Sequence, residues 1–203
     1  MNQPKSIFAT VFVFGVFLLT AAASFAQPKS EPSYQVSLQF VIGSNDAAPR
    51  SELPASFSAI SRQLKANFAF SNYRLASTFL GRVSDSGAFA YKSVSNILGQ
   101  ETGGASPTFL EWSLNNFMRI PSEKGPAGFQ AEAFVFGARV PVVSNSFRDE
   151  SGKSSQVINY EQIGLTLRKI GLSENVPTLL GTLTLPGTTG TIFLVVTVKS
   201  ADQ

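Results

Sequence analysis

Apolar and polar residues alternate from Tyr34 to Ile42. Tyr34, Val36, Leu38, Phe40 and Ile42 share one face, and Gln35, Ser37 and Gln39 the other. A period of two is the signature of a strand with one buried face. The loop Gly43–Arg50 follows, marked by its Gly, Asn, Asp and Pro content. The period then changes. Leu53, Phe57, Ile60 and Leu64 recur at helical spacing, while Ser56, Ser58, Arg62 and Lys65 fall largely off that stripe. Pro54 stands where a first helical turn tolerates it, and the pattern predicts a helix over Pro54–Ala66. A single amphipathic stripe of this kind packs on a sheet face. The expected partners are Val36, Leu38 and Phe40, or Leu75 and Phe79.

Beyond the helix the chain reads as β. Tyr73–Val83 places Leu75, Phe79 and Val83 on one face, and Asp85-Ser86-Gly87 supplies a turn into a hairpin return over Ala88–Val94. Gly99–Pro107 is a loop, Thr108–Ile120 a strand with Leu110, Trp112 and Leu114 alternating, and Pro121–Gly128 a turn. Phe129–Val143 begins by alternation and becomes apolar apart from Arg139, which predicts burial on both faces. Ser144–Ser155 is polar and reads as an exposed loop. Gln162–Ile170 alternates again. Val176–Leu185 and Thr191–Lys199 flank a Pro-Gly turn, and TIFLVVTVK, apolar on both faces, predicts a central strand. Most connections are too short for a crossover helix. The expected fold is therefore α+β: a mainly antiparallel sheet or sandwich with one helix packed on a sheet face.

The start of the chain carries a signal of another kind. Met1–Ser6 is short and carries Lys5, Ile7–Leu19 is almost purely apolar, and Ser24-Phe25-Ala26 precedes Gln27. This is the layout of a secretory signal peptide. The apolar run is shorter than the ~20 residues that span a bilayer as a helix. The expected organisation is a signal peptide over 1–26, a flexible spacer over 27–33 and a single β-rich domain over 34–203. The mature chain has no second such run and is expected to carry no membrane span. It is expected to be exported, to the periplasm or the extracellular space. A transmembrane β-barrel fits less well, because of the helix, the strands apolar on both faces and the polar ending Lys199–Gln203.

Composition removes several chemistries. The 203 residues contain no Cys and no His. The domain must hold itself by packing, without disulfides. Ordinary zinc sites, blue copper, haem attachment, Cys–His nucleophiles and Ser–His–Asp triads have no residues to build them. No cofactor and no metal is expected. Sixteen Lys and Arg against thirteen Asp and Glu give a net charge of +3, with the basic residues scattered. No phosphate-binding stripe appears, so nucleic acid is not an expected partner.

What remains is oxygen and carboxylate chemistry. Glu111 and Glu132 lie on neighbouring predicted strands, and glycosidases use two carboxyls at a fixed separation around a sugar. Any β protein also supplies such pairs on its solvent face. Trp112 is a candidate ligand platform, as are Tyr34, Tyr73, Tyr91 and Tyr160, because stacking needs a flat apolar face with a polar edge. Core packing accounts for most of the eighteen phenylalanines and competes for Trp112 as well. Lys153-Ser154-Ser155 resembles a Ser–Lys dyad, but a lysine in a polar loop keeps its charge. Gly43-Ser44-Asn45-Asp46 and Asp149-Glu150-Ser151-Gly152 hold oxygen ligands next to glycine without EF-hand spacing.

Two segments carry a resemblance. Asn175–Leu183 followed by Thr191–Lys199 resembles the closing hairpin of exported bacterial β-domains, in the style of secretins, the outer-membrane rings of secretion and pilus systems. Gln63-Leu64-Lys65 through Phe70-Ser71-Asn72-Tyr73-Arg74-Leu75 is similar to a stretch of exported bacterial β-rich proteins. Together they cover about a quarter of the chain and bring no catalytic residues. The sequence holds neither the secretin gate nor its repeated N-domains, so the resemblance does not imply ring formation. Resemblance and pattern together lead to an exported non-catalytic domain that binds a protein or cell-envelope component. The alternative is a carboxylate-based hydrolase acting on glycans through Glu111 and Glu132.

Overall fold

The structure, a computed structural model, describes residues 31–45, 53–95, 98, 106–121, 128–148, 154–184 and 190–201. All its elements belong to one unit, Pro32–Gln203. They are β1 (Ser33–Ser44), a 3-10 turn (Ala55–Phe57), α1 (Ser58–Asn67), β2 (Asn72–Ser84), β3 (Gly87–Ser95), β4 (Thr108–Ile120), β5 (Gly128–Arg148), β6 (Ser154–Ser173), β7 (Thr178–Thr184) and β8 (Thr191–Ser200). They form two four-stranded sheets, ordered β2-β1-β8-β7 and β3-β4-β5-β6, with every strand pairing antiparallel. The architecture is mainly β, with one short helix. The signal-peptide and spacer expectations fall almost entirely outside the described residues.

The main core lies between the sheets. Val36, Leu38 and Phe40 of β1, Phe79 of β2 and Leu194 and Val196 of β8 meet Trp112, Leu114, Phe134 and Phe136 of the second sheet. Edge-on aromatic contacts bind the two layers, as between Phe40 and Phe136 at 5.5 Å. β8 sits between β1 and β7, and Ile192–Val198, apolar but for Thr197, is buried on both of its faces.

The helix packs on the outer side of the first sheet, where of the expected partners it meets Leu75 alone. Phe57, Ile60 and Leu64 pack with Val41, Tyr73, Leu75, Phe193 and Val195, and not with Val36, Leu38, Phe40 or Phe79. The second sheet fills the face that carries Val36, Leu38 and Phe40, and a bulge separates Leu75 from Phe79. Phe40 pairs with Ser77 and Val41 with Leu75, so Ala76 is an extra residue in β2. An extra residue reverses side-chain direction beyond it. Phe79 and Val83 therefore face the inner core while Leu75 and Tyr73 face α1. The helix is closed from the sheet as well. The Tyr73 hydroxyl lies 3.1 Å from Leu64 O and 3.0 Å from Phe68 O and shares its one proton between them, while Leu64 O also accepts from Phe68 N at 2.9 Å.

Asp85-Ser86-Gly87 is a turn, but a corner between sheets and not a hairpin within one. Asp85 Oδ1 accepts from Arg119 N at 2.9 Å and from Ser86 N at 3.2 Å, and Ser86 has φ 60°. A Cβ on Gly81 of β2 would overlap the Phe89 ring of β3. The bare glycine receives that ring at this flank. At the other flank, a Cβ on Gly181 of β7 would lie 2.6 Å from Leu165 Cδ2 of β6.

Two further expectations change. Ser144–Ser155 is not simply a loop: β5 continues to Arg148, paired with β6 from Ser154. β4 leaves β5 at Arg139, so Val140–Arg148 and its partner strand continue as a two-stranded ribbon for roughly 30 Å at ~3.3 Å per residue. Its first residues, Val140 and Pro141, are still buried, and from Ser144 to Arg148 the strand is exposed; there main-chain pairing needs no apolar period, which is why the polar sequence reads as a loop. Phe129–Ala138 is buried on one face only, with Val135, Gly137 and Arg139 on the open side.

Tyr34 and Tyr73 give the fold an alkaline limit. Burial, the largest cause for each, raises both phenols above their ordinary value of about 10. The folded state thus holds these protons more tightly than the unfolded state. Their contribution is complete below the unfolded pKa and lost as pH rises through the raised folded values. The denaturant midpoint is expected to fall above pH 10, and less steeply in Tyr73→Phe. Parallel pH profiles for wild type and variant are the contrary outcome.

Candidate functional site

The first sheet is covered on both faces, by the second sheet and by α1. Among the described residues nothing covers the outer face of the second sheet. The strand register sets its side chains in rows. Val94, Phe109, Arg139 and Gln162 form one row, and Lys92, Glu111, Gly137 and Gly164 the next. Two glycines side by side leave the backbone of β5 and β6 bare in that second row. The result is an open groove of about 520 Å³, floored by Gly137 and edged by Lys92, Val94, Phe109, Glu111, Arg139 and Gln162.

The groove has an apolar rim and a charged one. Val94 is 57% exposed, Phe109 38% and Tyr160 45%. The Phe109 and Tyr160 rings lie 5.8 Å apart, and the Arg139 guanidinium sits 5.1 Å from the Phe109 centroid. A guanidinium over a ring face is held by the ring quadrupole while its N–H edges stay free. Lys92 Nζ lies 3.2 Å from Glu111 Oε2, an ion pair with both side chains mostly exposed. Such a pair adds little stability, and here it cancels charge locally. Arg139 has no ion pair among the described residues.

The sequence candidates are not brought together. Glu111 stands opposite Gly137 in register and Glu132 five residues further along β5, roughly 16 Å away at ~3.3 Å per residue. Glycosidase carboxyls lie ~5–9.5 Å apart. Glu111 holds Lys92, and Glu132 Oε2 accepts from Asn116 Nδ2 at 3.4 Å. Trp112 is 2% exposed and packs against Phe89 at 4.7 Å and Phe134 at 6.4 Å. It is a core residue with no face open to a ligand. Tyr34 and Tyr73 are buried as well, and Tyr160 is the tyrosine that stands at the open face. Asn45 Oδ1 accepts from Ser71 N at 2.8 Å, so it ties the end of β1 to the start of β2. Asp46, Asp149, Glu150 and Lys153 lie outside the described residues. Among the described residues no group of three or more Asp or Glu is placed to share a metal ion, and no helix is long and apolar enough to cross a membrane.

As the only tryptophan, Trp112 reports its own burial. Its emission is expected to resist quenching by acrylamide in the folded protein, to ignore added oligosaccharide, and to become quenchable on unfolding. Quenching of the native protein at the rate of a free indole is the result that would return Trp112 to the surface.

The residues that form the groove do not stand out in the sequence. Their signal is the outward parity of Phe109, Glu111, Gly137 and Arg139. It is masked by the apolar run of β5, which reads as a strand buried on both sides.

No protein-family model and no curated protein matches the chain. Solved structures that align with it include secretin domains. The secretin domain β-barrel of InvG from the Salmonella SPI-1 injectisome NC-base aligns at 12% identity and a TM-score of 0.38, over 94% of this chain and 68% of that one. A chain of the Klebsiella pneumoniae type II secretion system outer membrane complex of PulD, PulS and PulC HR domain aligns at 11% identity and a TM-score of 0.34, over 95% of this chain and 43% of that one. The Salmonella SPI-1 type III injectisome secretin InvG in its open gate state aligns at 12% and 0.34, over 94% and 65%. The chain spans less than half of the Klebsiella chain. These are faint likenesses between β-rich domains, and TM-scores this low assign no function to this chain.

Proposed function

We propose that the chain is an exported, non-catalytic domain that binds a protein or cell-envelope component through the outer face of its second sheet. The observation that carries this is a groove that no described residue covers, with exposed Val94, Phe109 and Tyr160 beside charged groups. A glycine-floored groove with aromatic edges provides area and shape for a partner. Glu111 and Glu132 stand too far apart for the glycan-hydrolase alternative, and Trp112 offers it no platform. Export rests on Met1–Ala26, with cleavage after Ala26 and a mature domain in the periplasm or outside the cell.

The test uses tagged protein expressed with its full N-terminus in its source cell. Crosslinked partners are captured from the envelope fraction, and the mass of the exported chain is measured intact. Mature protein beginning at Gln27 is expected. Capture is expected to fall sharply for the double variant Phe109→Ala, Tyr160→Ser, with an unchanged melting temperature. A cytoplasmic, unprocessed chain overturns the localisation, and undiminished capture by the double variant overturns the face.

A further inference from the structure

We propose that the groove takes an extended acidic segment of a partner protein. A carboxylate would sit on Arg139, and an apolar side chain two residues away over the bare backbone of Gly137. The inference rests on the binding face proposed above and names what that face recognises.

Charge selects the ligand class. Among the described residues around the groove, the ionisable side chains are Lys92, Glu111 and Arg139, with the Tyr160 phenol beyond Phe109. Lys92 and Glu111 answer each other at 3.2 Å. Arg139 is left as the uncompensated charge of the groove, and its contact with Phe109 holds the guanidinium over the ring. A guanidinium held there with free N–H edges matches the two oxygens of a carboxylate. Gln162, in register beside Arg139, adds an amide to that end of the groove. Glu111 lies one row away, so an incoming carboxylate is favoured at the Arg139 end and disfavoured over Gly137.

Spacing selects an extended chain. Arg139 and Gly137 are two residues apart on one strand, ~6.7 Å at strand rise. A second extended chain repeats at the same distance along one face. An acidic residue over Arg139 therefore brings the residue two positions away over the glycine floor, where a side chain finds room. The groove is too open for a free small carboxylate, since ligand pockets bury ~70–90% of their ligand. Arg139 is the one cation lining the groove without an ion pair among the described residues, too few for a nucleic-acid backbone or an anionic membrane surface to be gripped there.

Fluorescence anisotropy on the mature chain tests this. The probe is a short fluorescein-labelled peptide with Glu and Leu at alternate second positions and serine between them. Its control replaces each Glu with Gln. Wild type is expected to bind the Glu peptide at least about tenfold more tightly than the Gln peptide, the scale of one charge-assisted contact. Arg139→Gln is expected to erase that preference, and Gly137→Val to weaken both peptides by filling the floor. Arg62→Gln, on the exposed side of α1, is the control and is expected to match wild type. Equal affinity for the two peptides, an unchanged preference in Arg139→Gln, or no binding overturns the proposal. So does tighter binding of heparin or anionic vesicles that Arg139→Gln leaves intact. Envelope capture separates the two readings. Loss in the Phe109 and Tyr160 double variant but not in Arg139→Gln rejects the acidic segment and keeps the face, while retention in both variants rejects both.

Discussion

Phe57→Ala is expected to cost about 3–5 kcal/mol, and Arg62→Ala under about 0.5 kcal/mol. Phe57 is 3% exposed in the turn ahead of α1, and it shares a cluster with Ile60, Leu64, Val41, Phe193 and Val195. Truncating it removes the ring's transfer energy and leaves a cavity under a helix of only ten residues. A helix that short does not persist alone in water. Its stability comes from docking on Phe193 and Val195 and from the Tyr73 hydroxyl at its end, shared between Leu64 O and Phe68 O. The expected loss is a large share of a typical ~5–15 kcal/mol total. Denaturant midpoints for the two variants decide the matter. If Phe57→Ala unfolds at the same midpoint as Arg62→Ala, α1 is not docked on this face of the sheet.

The elements were legible where one periodicity governed them. Tyr34–Ile42 alternates cleanly, Leu53–Leu64 recurs at helical spacing, and Ile192–Val198 is apolar but for Thr197, and each became the expected element. What a one-dimensional pattern does not carry is a change of parity. Ala76, an ordinary small residue, reverses the facing of everything before it in β2, so the stripe Leu75, Phe79, Val83 is split between two cores. Asn116, at φ 47°, has the same effect in β4, where Leu114 and Phe117 both point inward although three residues apart. The choice of sheet for β3 was likewise hidden, because a two-residue turn reads the same whether it closes a hairpin or rounds a corner.

The candidate site was less legible than the fold, for a physical reason. Chemistry-bearing residues draw attention by type, and Glu111, Glu132 and Trp112 stand out that way. Two of them proved to be separated surface carboxylates and the third a core residue. The groove arises instead from missing side chains at Gly137 and Gly164, which become neighbours only once β5 and β6 are in register. Arg139 looks in the sequence like an interruption in an apolar strand. It is the charged member of an outward stretch whose neighbours on that side, Val135 and Gly137, are apolar or glycine.

Those two glycines are expected to respond oppositely to alanine, although they face each other in one register pair. Neither lies at positive φ, so only space decides. A Cβ on Gly137 would come 3.6 Å from Glu111 Cγ, ordinary contact with a side chain that can move. Gly137→Ala should then be neutral or stabilising by about 0.5 kcal/mol, through reduced freedom of the unfolded chain. A Cβ on Gly164 would come 2.6 Å from the carbonyl oxygen of Phe136. That oxygen belongs to the backbone of β5, and the Phe136 ring is anchored edge-on against Phe40 across the core. To relieve the overlap, β6 must move away from β5 at Phe136–Leu165, in the middle of the long pairing. Overpacking of this kind costs ~1–3 kcal/mol, which for a domain this size lowers the melting temperature by roughly 2–4 °C per kcal/mol. Thermal melts of the two variants beside wild type are the measurement. If Gly164→Ala melts with wild type, the approach of the two strands there is not rigid, and the groove floor is not held in the shape described.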